Sequence, residues 1–209
     1  MVVEIWSDIA CPWCYVGKRR FEAALAGFEG RDDVRVTWRS FELDPGAPAS
    51  REVSAAEHLG AKYGMPVEEA RARQAQLATM AAADGLEFHF DRVQSANTFD
   101  AHRLTHLAKA HGLQDAMKER LQHAHFTDGE LLSDHATLAR LAAEVGVPGA
   151  EEMLASDRYT AEVRDDERLA QEIGITAVPT FVVDRRVAVA GAQPPEVLRE
   201  LLQRGVPVS

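Results

Sequence analysis

Val2-Val3-Glu4-Ile5-Trp6 leads into Cys11-Pro12-Trp13-Cys14, and the reading of these two segments decides the fold. The first is apolar apart from Glu4, the composition of a strand buried on both faces. The second contains the only two cysteines of the chain, two residues apart. Pro12 suits a first helical turn, because its missing N–H would have no partner there. The run from Trp13 to Leu25 has helical spacing, with Cys14, Phe21 and Leu25 on one face. Cys11 therefore falls at a helix N-terminus, where unpaired backbone N–H groups and the macrodipole favour an anion. This predicts a lowered pKa and a thiolate at neutral pH for Cys11. Cys14, one turn further in, is predicted to be shielded and placed to attack a mixed disulfide formed at Cys11.

A CxxC pair is also half of a structural zinc site, but such a site needs four N or S ligands. The chain has no second CxxC, so no metal is expected. Two thiols kept together after a strand point to thiol–disulfide chemistry. Asp8 precedes the pair by three residues and is read either as a turn former or as a relay for the Cys14 proton. Trp13, between the cysteines, is predicted to be exposed and to form an apolar surface for a peptide-like substrate. Phe41 and Tyr15 are assigned to the core.

Working outward, Val34, Val36 and Trp38 alternate with Arg35, Thr37 and Arg39 as a second strand. Asp44-Pro45-Gly46-Ala47-Pro48 marks a turn and a change of style. From there to about Gly146 no strand is legible. Predicted helices run from Met65-Pro66 to Ala83, Asp100 to His111 and Leu113 to His125. Another starts at Ser133, read as its N-cap, and ends before Gly146. Asn97-Thr98 is read as the cap of the helix near Phe99. Helices over Ala150–Leu154 and Thr160–Glu172 follow. Strands Thr180–Val183 and Val187–Ala190 are separated by an Asp184-Arg185-Arg186 hairpin turn, and a helix opens at Pro194-Pro195-Glu196. The order is βαβ, a helical block, then αββα. That order predicts an α/β fold whose split sheet carries an inserted all-helical domain. The predicted boundaries are 1–45 with 160–209 for the sheet domain and 46–159 for the insertion.

The 209 residues are 46% hydrophobic, enough for a sizeable core. A net charge of -10 argues against nucleic acid and anionic membrane surfaces as partners. No apolar run approaches the ~20 residues of a membrane span, and the N-terminus opens on a strand instead of a leader pattern. A cytoplasmic location is expected. There, a CxxC is catalytic more often than structural.

The strand–CPWC–helix opening, the helical block and Gly174-Ile175-Thr176-Ala177-Val178-Pro179-Thr180-Phe181 together resemble the DsbA family of thioredoxin-fold oxidoreductases, in its FrnE-type branch. Supporting segments are Asp8-Ile9-Ala10, Asn97-Thr98-Phe99-Asp100-Ala101-His102-Arg103, Phe126-Thr127-Asp128-Gly129 and Gly191-Ala192-Gln193-Pro194. The resemblance covers essentially the whole chain. It implies a thioredoxin fold, a cis Val178-Pro179 bond beside the thiols, Cys11 as nucleophile and Cys14 as resolving residue. Pro12, Trp13, Val178 and Pro179 would contact substrate, with Asn97 and His102 as candidate cleft residues. No cofactor is required, glutathione being a candidate redox partner. The substrate is a protein or small molecule bearing thiols or a disulfide, and the protein is a monomer or homodimer. A related branch holds 2-hydroxychromene-2-carboxylate isomerases and kappa-class glutathione transferases. These usually carry serine where Cys11 stands, so the alternative is a glutathione-dependent isomerase or transferase acting on a small aromatic or polyketide-type substrate.

His102 and His106 are spaced to share one helix face. His123 and His125 would point to different faces and are read as solvated or as lying near a helix C-terminus, where His is favourable. Arg164-Asp165-Asp166-Glu167-Arg168 is read as a solvated helix face with internal ion pairs.

Overall fold

The computed structural model describes residues 1–206. Strand β1 (Val2–Ser7) is buried along nearly its whole length because it has a neighbour on each side. It pairs parallel with β2 (Arg35–Ser40) and antiparallel with β3 (Thr180–Val183). β3 pairs antiparallel with β4 (Val187–Ala190), giving the order β2-β1-β3-β4. The register sets Ile5 opposite Trp38 on one side and Phe181 on the other. The β1–β2 pair is parallel because helix α1 (Pro12–Ala26) carries the chain back across the sheet. The final hairpin turns through Asp184 and Arg185, with φ of 47° and 54°, the left-handed pair that matches strand twist in a tight hairpin.

One core joins the sheet to two helices. Val3, Ile5, Phe181 and Val183 meet Phe21 and Ala24 of α1 and Leu198, Leu201 and Leu202 of α9 (Pro195–Gly205). Phe21 stacks on Phe181 with centroids 5.5 Å apart. The i, i+3, i+4 spacing of the three leucines turns one stripe of α9 to the sheet.

The chain divides into two compact units: Met1–Leu43 with Thr160–Ser209, and Asp44–Tyr159. The second is helical: α2 (Ala55–Tyr63), α3 (Val67–Ala83), α4 (Phe99–Ala110), α5 (Gln114–His123), α6 (His135–Val145) and α7 (Ala150–Leu154). The predicted helices omit α2, although its signal is local. Ser54 and Glu57 form a reciprocal capping box. Ser133 is not the N-cap of α6. Asp134 takes that role, its carboxylate accepting the Thr137 N–H at 2.8 Å, while the Ser133 hydroxyl donates to the Ala49 carbonyl. His125 is buried, so of the two readings, solvated or near a helix C-terminus, only the second describes it. α5 passes into a π-helical segment, Ala124–Asp128, whose wider turn changes which side chains face inward. Among the described residues no helix is long and apolar enough to cross a membrane.

Helix α8 (Thr160–Glu172) corrects the reading of its charged run as a solvated face. Asp166 is 2% exposed. Its carboxylate accepts the Ser40 N–H at 2.9 Å and Arg39 Nη1 at 2.7 Å, and its carbonyl accepts the Trp6 indole N–H at 3.0 Å. Arg39 also reaches Glu4, as does Arg185 from the hairpin. The Arg185 guanidinium, with Arg39, holds the Glu4 carboxyl below the usual carboxylate range despite its burial. Helical spacing alone shows five charged residues in a row. Only the strand edge opposite shows that one of them faces inward.

Glu42, just past β2, shares Arg164 with Glu167; each carboxylate accepts from Nη1 at 2.6 Å. The remaining oxygen of each, Oε1, is buried without a hydrogen-bond partner. A proton on Glu42 supplies the missing donor. Burial pushes its pKa up to about 7, the neighbouring Glu167 adding to the shift against the pull of Arg164. The folded chain then binds this proton more tightly than the unfolded chain, so stability falls as pH rises from 4.5 to about 7 and levels off above. The expected contribution is on the order of 1–3 kcal/mol, less where solvent screens the pair. Glu42→Gln should remove it. The stability difference between variant and wild type, from denaturant unfolding at pH 5, 6, 7 and 8, should rise across that window; a flat difference would contradict the shared proton.

Candidate active site

Cys11 is the N-cap of α1, with φ of -93° and ψ of 112°, and Pro12 begins the helix. The Cys14 N–H closes the first turn on the Cys11 carbonyl at 3.0 Å. The sequence Cys-Pro-Trp-Cys makes this geometry locally. Proline fixes an N-terminal φ without wasting a donor, and the residue before it is driven to extended backbone. Cys11 is 4% exposed and Cys14 is fully buried, both as free thiols. Trp13, between them, is 43% exposed. Tyr15 is buried, and Phe41 is half-buried against Trp6, Ala170 and Val182.

The second element of the site comes from the other end of the chain. The Val178–Pro179 peptide bond is cis, and it lies immediately before β3. The Val178 carbonyl stands 3.9 Å from Cys11 Sγ. The β1–β3 pairing produces this approach: β1 ends just before the cysteine loop, and β3 begins where the Pro179 segment ends. Hydrogen bonds fix that segment. The Thr180 hydroxyl donates to the Ala177 carbonyl at 2.7 Å, and the Gly191 N–H donates to the Pro179 carbonyl at 2.7 Å.

Asp8 is buried and behaves as a turn former. Oδ1 accepts the Ala10 N–H at 3.3 Å and Oδ2 the Leu43 N–H at 2.8 Å, tying the cysteine loop to the chain after β2. Its charge reaches Cys11. The Cys11 thiol is pushed well above the ordinary thiol range by the hydrogen bond with the Cys14 side chain, then by burial, with the charges of Cys14 and Asp8 adding to the shift; the Cys14 backbone N–H pulls the other way. The expectation of a lowered pKa is thereby reversed for the dithiol. Helix position alone favours the thiolate, but two sulfurs in contact share their first negative charge and oppose the second.

Asn97 and His102 belong to the helical unit. The N-cap of α4 is Thr98, which makes no side-chain capping bond; Asn97, one residue earlier, accepts the Phe99 N–H on Oδ1 at 2.9 Å, and His102 is buried. His106 is buried too, stacked on Tyr159 at 6.4 Å. Among the described residues no group of three or more His, Cys, Asp or Glu side chains stands together to hold a metal ion. Sequence reasoning missed Gly17, whose closeness to Pro179 is invisible in its helical spacing.

Residues 2–203 match the DSBA-like thioredoxin domain. The chain belongs to that family. It is similar to the uncharacterized protein YwbO of Bacillus subtilis (strain 168), 31% identical over 206 residues that cover 96% of this chain and 94% of YwbO. It superposes on the crystal structure of the probable DsbA oxidoreductase SCO1869 from Streptomyces coelicolor with a TM-score of 0.94 at 45% identity, covering 100% of this chain and 93% of that one. The fold is also that of the cytosolic disulfide reductase DsbM from Pseudomonas aeruginosa, with a TM-score of 0.68 at 22% identity and 98% of both chains covered. This family member is a DsbA-like thiol–disulfide oxidoreductase with a thioredoxin fold.

Proposed function

We propose that Cys11 and Cys14 exchange thiols with a substrate disulfide through a mixed disulfide at Cys11, in the FrnE-type branch of the family and in the cytoplasm. The observation that carries this reading is the approach of Cys11 Sγ to the Val178 carbonyl at 3.9 Å, at the only pair of cysteines in the chain. Cys11, as thiolate, attacks one sulfur of the substrate S–S bond. The other substrate sulfur leaves with the bonding electron pair and takes a proton. Cys14 then gives up its proton and attacks the Cys11 sulfur, and the second substrate sulfur leaves as a thiol. The substrate gains two electrons and two protons, and the protein is left with a Cys11–Cys14 disulfide. An external thiol must reduce that disulfide for turnover. Glutathione fits this role, since the structure of the fold relative DsbM contains GSH.

Pro12 and Trp13 flank the nucleophile on its exposed side, and the Val178 backbone offers an extended substrate segment a strand-like partner. Asn97 and His102, the cleft residues that the family resemblance suggests, lie in the helical unit, where His102 is buried and Asn97 accepts from the Phe99 N–H. The domain limits we propose are those of the two units, the helical unit being inserted into the thioredoxin-like one. Retention of both cysteines favours this reading over a glutathione-dependent isomerase.

The test is a redox titration of the Cys11/Cys14 pair in glutathione buffers, read by thiol trapping and by Trp13 fluorescence. A single two-electron transition is expected, with a midpoint at or below about -200 mV if the protein works as a reductant. A pair that never forms a disulfide, while glutathione binds saturably, would move the assignment to the isomerase or transferase.

A further inference from the structure

Three contacts in succession join α1 to the segment Val178–Phe181. Cys11 meets Val178 at one end, and Phe21 stacks on Phe181 at the other. Between them Gly17 stands against the Pro179 ring. A Cβ on Gly17 would lie 2.7 Å from Pro179 Cγ, closer than such carbons come in folded proteins, and 3.4 Å from Phe181 Cζ. Gly17 lies inside α1, where no left-handed backbone calls for glycine. Alanine would favour the helix there. The chain forgoes that gain, and the result is direct contact between helix and ring.

The ring has little room to yield. Pro179 is buried, and its backbone is held by the Gly191 N–H on one side and the Thr180–Ala177 bond on the other. A methyl group at position 17 would therefore displace the backbone of Val178 and Pro179. We propose that Gly17 is a positioning residue: it sets the distance between the Val178 backbone and Cys11 Sγ, and so governs how well an extended peptide disulfide is presented to the thiol. This rests on the oxidoreductase reading above.

Gly17→Ala separates the two ideas. Cys11 in wild type and variant is reacted with a small aromatic disulfide, which needs only the thiol, and with an extended peptide carrying a disulfide. The small reagent should react within about 2-fold of wild type, while the peptide should lose about 10- to 100-fold, the cost of misplacing one partner by a fraction of an ångström or more. Equal losses with both reagents, or no loss with either, would overturn the proposal. Wild type that reacts with neither would instead refute the oxidoreductase reading. Should the variant fold poorly, a double-mutant cycle with Pro179→Ala, read by thermal unfolding, decides. Gly17→Ala should lower Tm when Pro179 is present and leave it level or raised in the Pro179→Ala background. Equal falls in both backgrounds would show that the ring is not what the methyl meets.

Discussion

Cys14→Ala should trap a mixed disulfide at Cys11, and Cys11→Ser should lose exchange by about 10³-fold or more, because a hydroxyl cannot replace a thiolate as nucleophile or form the S–S intermediate. The asymmetry follows from position. Cys11 sits at the helix cap beside Val178, while Cys14 is fully buried one turn on. On the proposed reading Cys11 meets an incoming disulfide first and Cys14 releases it. Cys14→Ala should also shift the reactivity of Cys11 itself. The Cys14 side chain is the largest influence raising the Cys11 pKa, whereas the backbone N–H that lowers it survives the substitution. The pH at which Cys11 alkylation is half-maximal should therefore fall in the variant, so that more thiolate is present at neutral pH. Mass spectrometry of the protein after incubation with a disulfide-bearing peptide checks the first outcome, and alkylation rates between pH 5 and 10 check the second. Trapping in Cys11→Ser in place of Cys14→Ala would reverse the assigned roles.

Asp166→Ala should cost about 3 kcal/mol of stability, a Tm fall of roughly 6 °C or more for a chain of this size. The carboxylate is 2% exposed and takes the Ser40 N–H and the Arg39 guanidinium. Without it both donors lose a buried acceptor, although Arg39 keeps Glu4. Asp166→Asn, which keeps one acceptor oxygen, should lose less. The consequence should extend to the site, since α8 leads into the Gly174–Pro179 segment and packs with it through Ala170, Ile175 and Val178. Thermal unfolding of both variants, with the Cys11 reaction rate measured alongside, checks this. An Asp166→Ala protein as stable as wild type would return the residue to the solvated face that the sequence alone describes.

What was legible from sequence was local. Proline after Cys11 sets both an extended cap and a helical first turn. Apolar runs mark β1, β3 and β4, alternation marks β2, and the 3.6-residue period marks most of the helices; α2 went unread although its Ser54–Glu57 capping box is a local signal. The site as a whole was half legible. Each cysteine's proposed role follows from a single turn of helix, whereas Val178 and Pro179 entered through the family resemblance, because nothing in a proline 165 residues beyond Cys14 says what it touches.

Tertiary structure decided the rest. Whether Asp166 faces water or Ser40 depends on which strand edge lies beside α8, and no periodicity in 164–168 contains that. The inward turn of His125 depends on one wide turn of helix, set by how the segment packs. The Cys11 thiol is held up by a second sulfur, by burial and by the charge of Asp8, which together outweigh the helix position visible in the motif. Gly17 matters only because β3, added to β1 from the far end of the chain, brings Pro179 against α1. By itself the sequence determined which atoms can do thiol chemistry. Long-range pairing, which adds distances and fields between segments far apart in the chain, decided how those atoms are held.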